Sequence, residues 1–208
     1  MQNFILPQRQ KEHGFTLIEL LVVMVVFIFI IAAVLVVFIS IAQAQKNILA
    51  KQEVIREVGY ILEYLSKALR MAKTSVSEQD SFCLSEGVIY QLTRADPNSP
   101  DFFNGIKFIN SIDNDSCYEI FFDNKEGVLK QLINETEESN ALSLTSTNLK
   151  IEFIKFKING MSNLTEAKRD DDFQPRITIL LGVKSKKESG GPLMIFQTTV
   201  SQRSLNIK

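Results

Sequence analysis

From Leu20 through Ile39 every residue is apolar, no Pro or Gly interrupts the run, and one carboxylate, Glu19, stands directly in front of it. At about 1.5 Å of rise per residue, such a run makes a helix roughly 30 Å long, the thickness of a bilayer's hydrocarbon core. A charge at membrane depth costs about 3 kcal/mol on insertion scales, so an acidic residue there marks a working position. The alternative is a glutamate that reaches the membrane surface from a helix end.

The flank before the run, residues 1–14, contains Arg9, Lys11, Glu12 and His13. Its Lys and Arg favour the cytoplasmic side, which sends the rest of the chain across the membrane. An ordinary secretory signal has a shorter apolar core followed by a small-residue cleavage site. Here Ile41-Ala42-Gln43-Ala44-Gln45 leads straight into a further helical pattern, so the apolar segment is expected to stay in the mature protein. The only histidine, His13, lies in this flank, and no Ser/His/Asp set, phosphate-cradling glycine loop or CxxC motif occurs. The sequence therefore predicts a protein that is not an enzyme and needs no cofactor. A formal net charge of −1 gives no electrostatic case for nucleic acid as the main partner.

The run Gly14-Phe15-Thr16-Leu17-Ile18-Glu19, set between a polar leader and the apolar stretch, resembles the processing and methylation motif of type IV pilins and type II secretion pseudopilins. The resemblance implies cleavage after Gly14 by a membrane prepilin peptidase and N-methylation of the new N-terminal residue, Phe15. It implies Glu19 as the fifth mature residue. Other pilin or pseudopilin subunits, the inner-membrane assembly platform and, before assembly, membrane lipid are the partners it implies. The residues agree with that chemistry. A glycine before the scissile bond enters a protease site easily in extended form. A free amine at Phe15 is cationic at neutral pH and can pair with Glu19 of a neighbour. Mispacking would leave one of those charges unpaired, at several kcal/mol. Glu19 would then set axial register as a buried polar residue does in a coiled coil.

The helical pattern continues past the apolar run. Ile48, Ile55, Val58, Leu62, Leu65, Leu69 and Ala72 recur at steps of three and four apart from a gap at Lys51, with Lys46, Gln52, Glu53, Arg56, Glu57, Glu63 and Lys67 between them. One helix is expected from about Phe15 to Lys73, with Gly59 a weak point within it. The chain divides on this reading into a cleaved leader (1–14), a transmembrane and assembly helix (15–42), an amphipathic half of the same helix (43–73) and a globular β-rich domain (74–208). Strands are predicted over 88–94, 106–110, 118–123, 128–133, 149–158, 176–183 and 193–200. Asp123-Asn124-Lys125-Glu126-Gly127 predicts a hairpin loop. In the run from Leu149, the alternation Leu149, Ile151, Phe153 changes phase to Ile154, Phe156, Ile158, which predicts a bulge at Phe153–Ile154. The fold class is α+β: a long N-terminal helix packed on an antiparallel sheet.

This order of elements resembles the minor branch of the family, its J-type and W-type subunits. Gln174-Pro175-Arg176-Ile177-Thr178-Ile179 and Gln197 to Arg203 are similar to segments those proteins carry near their C-termini. Many major pilins have a proline in the apolar half of the helix, and none occurs here. Cys83 and Cys117 fall on the extracytoplasmic side of the predicted topology, where a disulfide persists; two buried thiols are the alternative. Asp113-Asn114-Asp115 and Asp170-Asp171-Asp172 are the places where Ca²⁺ would find carboxylates, although acidic loops are more often simply solvated. Asn134-Glu135-Thr136 and Asn163-Leu164-Thr165 match glycosylation sequons. The rival to a purely structural subunit is a competence-type pilin whose C-terminal domain binds DNA or another ligand, with Lys184, Lys186 and Lys187 as its basic loop.

Overall fold

The computed structural model describes residues 14–76, 82–96, 99, 101–146, 148–160, 166–168, 174–186 and 191–203. The chain forms two compact units, Met1–Ile48 and Leu49–Lys208. Helix α1 runs Leu17–Arg70 and supplies residues to both. In the first unit every side chain from Phe15 to Ile41 is exposed. The hydroxyl of Ser40 donates to the Val36 carbonyl at 3.0 Å, so it presents no unmet donor to an apolar surrounding.

In the second unit α1 buries Val54, Val58, Ile61, Leu65, Ala68 and Leu69. Their spacing of four, three and four residues holds them on one face, which packs into a core with Tyr90, Phe108, Ile120, Leu149, Phe156, Ile179 and Val200. The expected stripe was displaced at its start. Ile48 and Ile55 are about half exposed, and Val54 and Ile61 take the buried places. Apolar residues stand side by side at Val54-Ile55 and at Ile61-Leu62, so the sequence offers two stripes about 100° apart, and contact with the sheet selects one.

The helix also stops earlier than expected. Ala72–Lys73 is not helical but forms a two-residue strand, β1, paired with Ile109 and Asn110. The reason is tertiary. The last carbonyls of a helix lack intrahelical donors and need others. Here the Tyr90 hydroxyl donates to Leu69 O (2.6 Å) and the Arg203 amide to Arg70 O (2.9 Å). The Ser111 amide and hydroxyl both donate to Met71 O (3.0 and 2.8 Å), and Gln202 Nε2 donates to Ala72 O (2.9 Å). Donors far apart in sequence thus meet the chain as it leaves the helix, and three of these acceptors are the helix's own last turn and the turn after it.

The sheet is antiparallel throughout. Strands β2 (Val88–Ala95), β3 (Phe103–Asn110), β4 (Ser116–Asp123), β5 (Val128–Ile133), β6 (Leu142–Ser143), β7 (Leu149–Asn159), β8 (Glu166–Lys168), β9 (Arg176–Ser185) and β10 (Met194–Ser201) follow β1 in the chain. The order is β10-β9-β7-β3-β4-β5-β6, with β2 between β3 and β8 and β1 also on β3. Every predicted strand is present, β5 with the expected bounds and the others with ends shifted by one to three residues; β1, β6 and β8 were not predicted. The α+β class is as expected. Strand β7 meets β3 at one pair only, Phe103 with Phe156. The amide of Ile151 donates to Gly127 O at 3.1 Å and adds a second tie between the two halves of the sheet.

The hairpin over Asp123–Val128 forms as its residues predict. Gly127 adopts φ +66°, which a side chain would strain, and its amide donates to Asp123 O at 2.8 Å. Asp123 Oδ1 accepts from the amides of Lys125 and Glu126, while Lys130 Nζ lies 2.7 Å from Oδ2. The bulge in β7 lies earlier than expected, between Ile151 and Phe153. Phe153 is therefore not in the buried phase of Leu149 and Ile151; it sits half-buried on the other face, over Gly182. A Cβ at Gly182 would collide with the Phe153 ring, so the glycine makes the room that the ring needs.

Two measurements check this account. Ile61→Ala is expected to destabilise the protein by about 2–5 kcal/mol in denaturant unfolding, whereas Ile55→Ala stays within about 0.5 kcal/mol. The Lys130 ammonium holds the Asp123 carboxyl below its usual range. The stability from that depression is complete above the unfolded carboxylate value of about 4 and is lost as the pH falls through the lower folded value. Asp123→Asn should therefore flatten the acid limb of the stability curve below about pH 4 and lower stability at neutral pH.

Candidate assembly site

Gly14, Phe15 and Thr16 precede the helix in non-helical conformation, and all three are exposed. A Cβ built at Gly14 meets nothing within 4 Å. The peptide bond between Gly14 and Phe15 is thus open to an enzyme. Thr16 is the N-cap of α1: its Oγ1 accepts from the Glu19 amide at 3.3 Å and its carbonyl accepts from the Leu20 amide at 3.2 Å. Thr16-Leu17-Ile18-Glu19 has the spacing of a capping box, a signal present in the sequence that the motif reading did not use. The pattern explains why the helix begins at Leu17 and why Glu19 lies in its first turn, beside the positive end of the helix dipole. Among the described residues no cation pairs with Glu19. Beyond it, the exposed surface is apolar up to Ile39, with Phe27, Phe29 and Phe38 as its largest side chains.

A family model described as the prokaryotic N-terminal methylation motif matches residues 9–35. The N-terminus thus carries a prepilin-type methylation motif, of the kind found in type IV pilin-like proteins. The match spans the leader end, Gly14, Glu19 and most of the apolar run, and the helix that follows is long and apolar enough to cross a membrane. Neither a search of curated proteins nor one of solved structures returned a match. Assembly with other pilin subunits and processing by a prepilin peptidase go with the motif in general.

The other sequence-predicted positions lie in the second unit. Cys83 and Cys117 form a disulfide with Cα atoms 5.6 Å apart. It ties the segment before β2 to β4, and with Leu84, Val88 and Ile109 it makes a small second core. The Asp113-Asn114-Asp115 turn uses its carboxylates within the protein: the Tyr118 hydroxyl donates to Asp113 (2.7 Å) and Lys73 pairs with Asp115 (2.9 Å). Asn134 also has a structural use. At φ +53° it accepts from the Cys117 amide (2.7 Å) and donates from Nδ2 to Ser116 Oγ (3.1 Å), so a glycan on Nδ2 would compete with that bond. Lys184 lies 3.4 Å from Glu152, whose carboxyl is held below its usual range by Lys150 first and Lys184 second. Lys186 is exposed. Residues 1–13, Asn163-Leu164-Thr165, Asp170-Asp171-Asp172 and Lys187 lie outside the described residues.

Thiol labelling of the native protein should be absent without reductant and should report two thiols with it. Replacing both cysteines by Ala is expected to lower stability by about 3–4 kcal/mol, the chain-entropy scale for a bridge of separation 34.

Proposed function

We propose that the chain is a structural subunit of a type IV pilus or type II secretion pseudopilus, of the minor kind that starts or tips a fibre. A prepilin peptidase cuts after Gly14 and methylates the Phe15 amine. The C-terminal domain is extracytoplasmic, and the subunit waits in the cytoplasmic membrane until the assembly platform draws it into a fibre. The observation that carries the reading is the order of Gly14, Phe15, the Thr16 cap, Glu19 and an unbroken exposed apolar helix surface. Each part has a physical task. The exposed Gly14–Phe15 bond offers the cut. The cap fixes Glu19 in the first turn. The apolar surface dissolves in lipid first and in neighbouring helices later, since both are equally apolar partners. No proline occurs within α1, which supports the minor assignment.

Cutting creates the cation that Glu19 lacks. In the uncut chain Phe15 carries an amide; afterwards it carries a charged amine. A neighbour docked at the correct height places that amine against Glu19, and one docked at another height leaves two charges in an apolar surround. Co-expression with a prepilin peptidase tests the reading. Wild-type chain should shift to the size of a protein starting at methylated Phe15, and Gly14→Val should remain at precursor size. Equal sizes for the two would remove the basis of this function.

A further inference from the structure

Strand β10 is the long free edge of the sheet. It pairs with β9 in unbroken register from Met194 opposite Val183 to Ser201 opposite Arg176, and among the described residues it has no strand on its other side. A free edge is a row of backbone donors and acceptors that recruits other strands, and proteins blunt such edges with short strands, charges, prolines or bulges. The other edges of this sheet are blunted. Strand β6 is two residues long, and β8 is three residues long with Glu166 and Lys168 in it. Strand β10 has none of these devices: it spans eight residues, Met-Ile-Phe-Gln-Thr-Thr-Val-Ser, without charge, proline, glycine or bulge. It is held firmly, because just after it Arg203 donates to the Arg70 carbonyl at the end of α1 and Gln202 to the Ala72 carbonyl in β1.

We infer that the β10 edge pairs antiparallel with the β10 edge of a second copy of this chain, joining two sheets into one across a two-fold axis. Three observations select that occupant. Among the described residues every other strand longer than two residues contains at least one charged residue, so β10 is the only uncharged long strand there. Two copies of β10 meet without like charges facing each other. The strand also matches itself by face. Met194, Phe196, Thr198 and Val200 lean to the core side, while Ile195, Gln197, Thr199 and Ser201 are exposed on the other. Antiparallel pairing keeps like faces together when the axis passes Gln197 or Thr198. In both registers the two Gln197 side chains are opposite or diagonal neighbours on the exposed face. Ile195, 58% exposed, would then lie against the partner's Thr199 or Ser201.

The interface is isologous, so charge at one position appears twice. The test uses full-length chain in detergent micelles, each population carrying its own tag, with association read by co-purification. Wild type should associate. Gln197→Lys alone and Gln197→Glu alone should each lose association at least tenfold, and a mixture of the two should regain it. Gln197 is exposed on a strand face, and unchanged thermal unfolding of each variant confirms that the fold is intact. Association that is the same in all four combinations overturns the proposal, as does its absence in the wild type. A wild-type chain that co-purifies instead with a different protein through the Gln197 face also overturns it, since the edge then belongs to another partner. None of these outcomes bears on cleavage after Gly14, so this inference and the proposed function stand or fall separately.

Discussion

The central constraint in this molecule is a carboxylate at the head of an apolar helix with no cation beside it among the described residues. Glu19 is fixed there by its own backbone, through the Thr16 hydroxyl that caps the first turn. The helix dipole offers it partial relief, worth well under the cost of holding a charge near lipid depth. The rest of the first unit makes the position more demanding, because the surface beyond Glu19 is apolar and exposed for the length of a membrane crossing. A surface of that kind accepts lipid or other helices without preference among heights. On the proposed function, that preference comes from the single charge of Glu19.

The second unit solves a different problem, which is how to end the helix. A helix that simply stopped at Arg70 would leave carbonyls in a core of low polarity. Tyr90 and Arg203 supply donors to its last turn, and Ser111 and Gln202 to the two residues after it, from three separate parts of the chain. Burial pushes the Tyr90 hydroxyl far above its ordinary pKa, so it stays a donor at any pH the protein meets. The end of α1, the end of β3 and the end of β10 are therefore one structure. The disulfide between Cys83 and Cys117 ties the segment before β2 to β4.

What could be read from the sequence was local. The Asp123–Gly127 turn, the strand after it and the apolar run are written in neighbouring residues, and the fold has them where their chemistry puts them. The motif around Gly14 was legible for the same reason, while the Thr16 capping box within it went unread although its spacing is plain. The misreadings share a cause. Choosing between Val54 and Ile55, or between Ile61 and Leu62, needs the sheet, because both members of each pair are apolar. Placing the β7 bulge needs Gly182, which lies on the neighbouring strand and makes room for Phe153. Ending the helix before Ala72 needs donors as distant as Gln202. The uncharged edge of β10 was visible in the sequence, but its meaning depended on knowing that the strand stands at the end of the sheet.

The direct test of the central claim separates cutting from assembly. Chain carrying Glu19→Val, expressed beside wild type with the full assembly machinery, should be trimmed after Gly14 to the same extent as wild type. It should then remain in the membrane fraction and be missing from sheared fibres. Recovery of Glu19→Val in fibres at the wild-type level would contradict the account, because a subunit without the carboxylate would have found its register unaided.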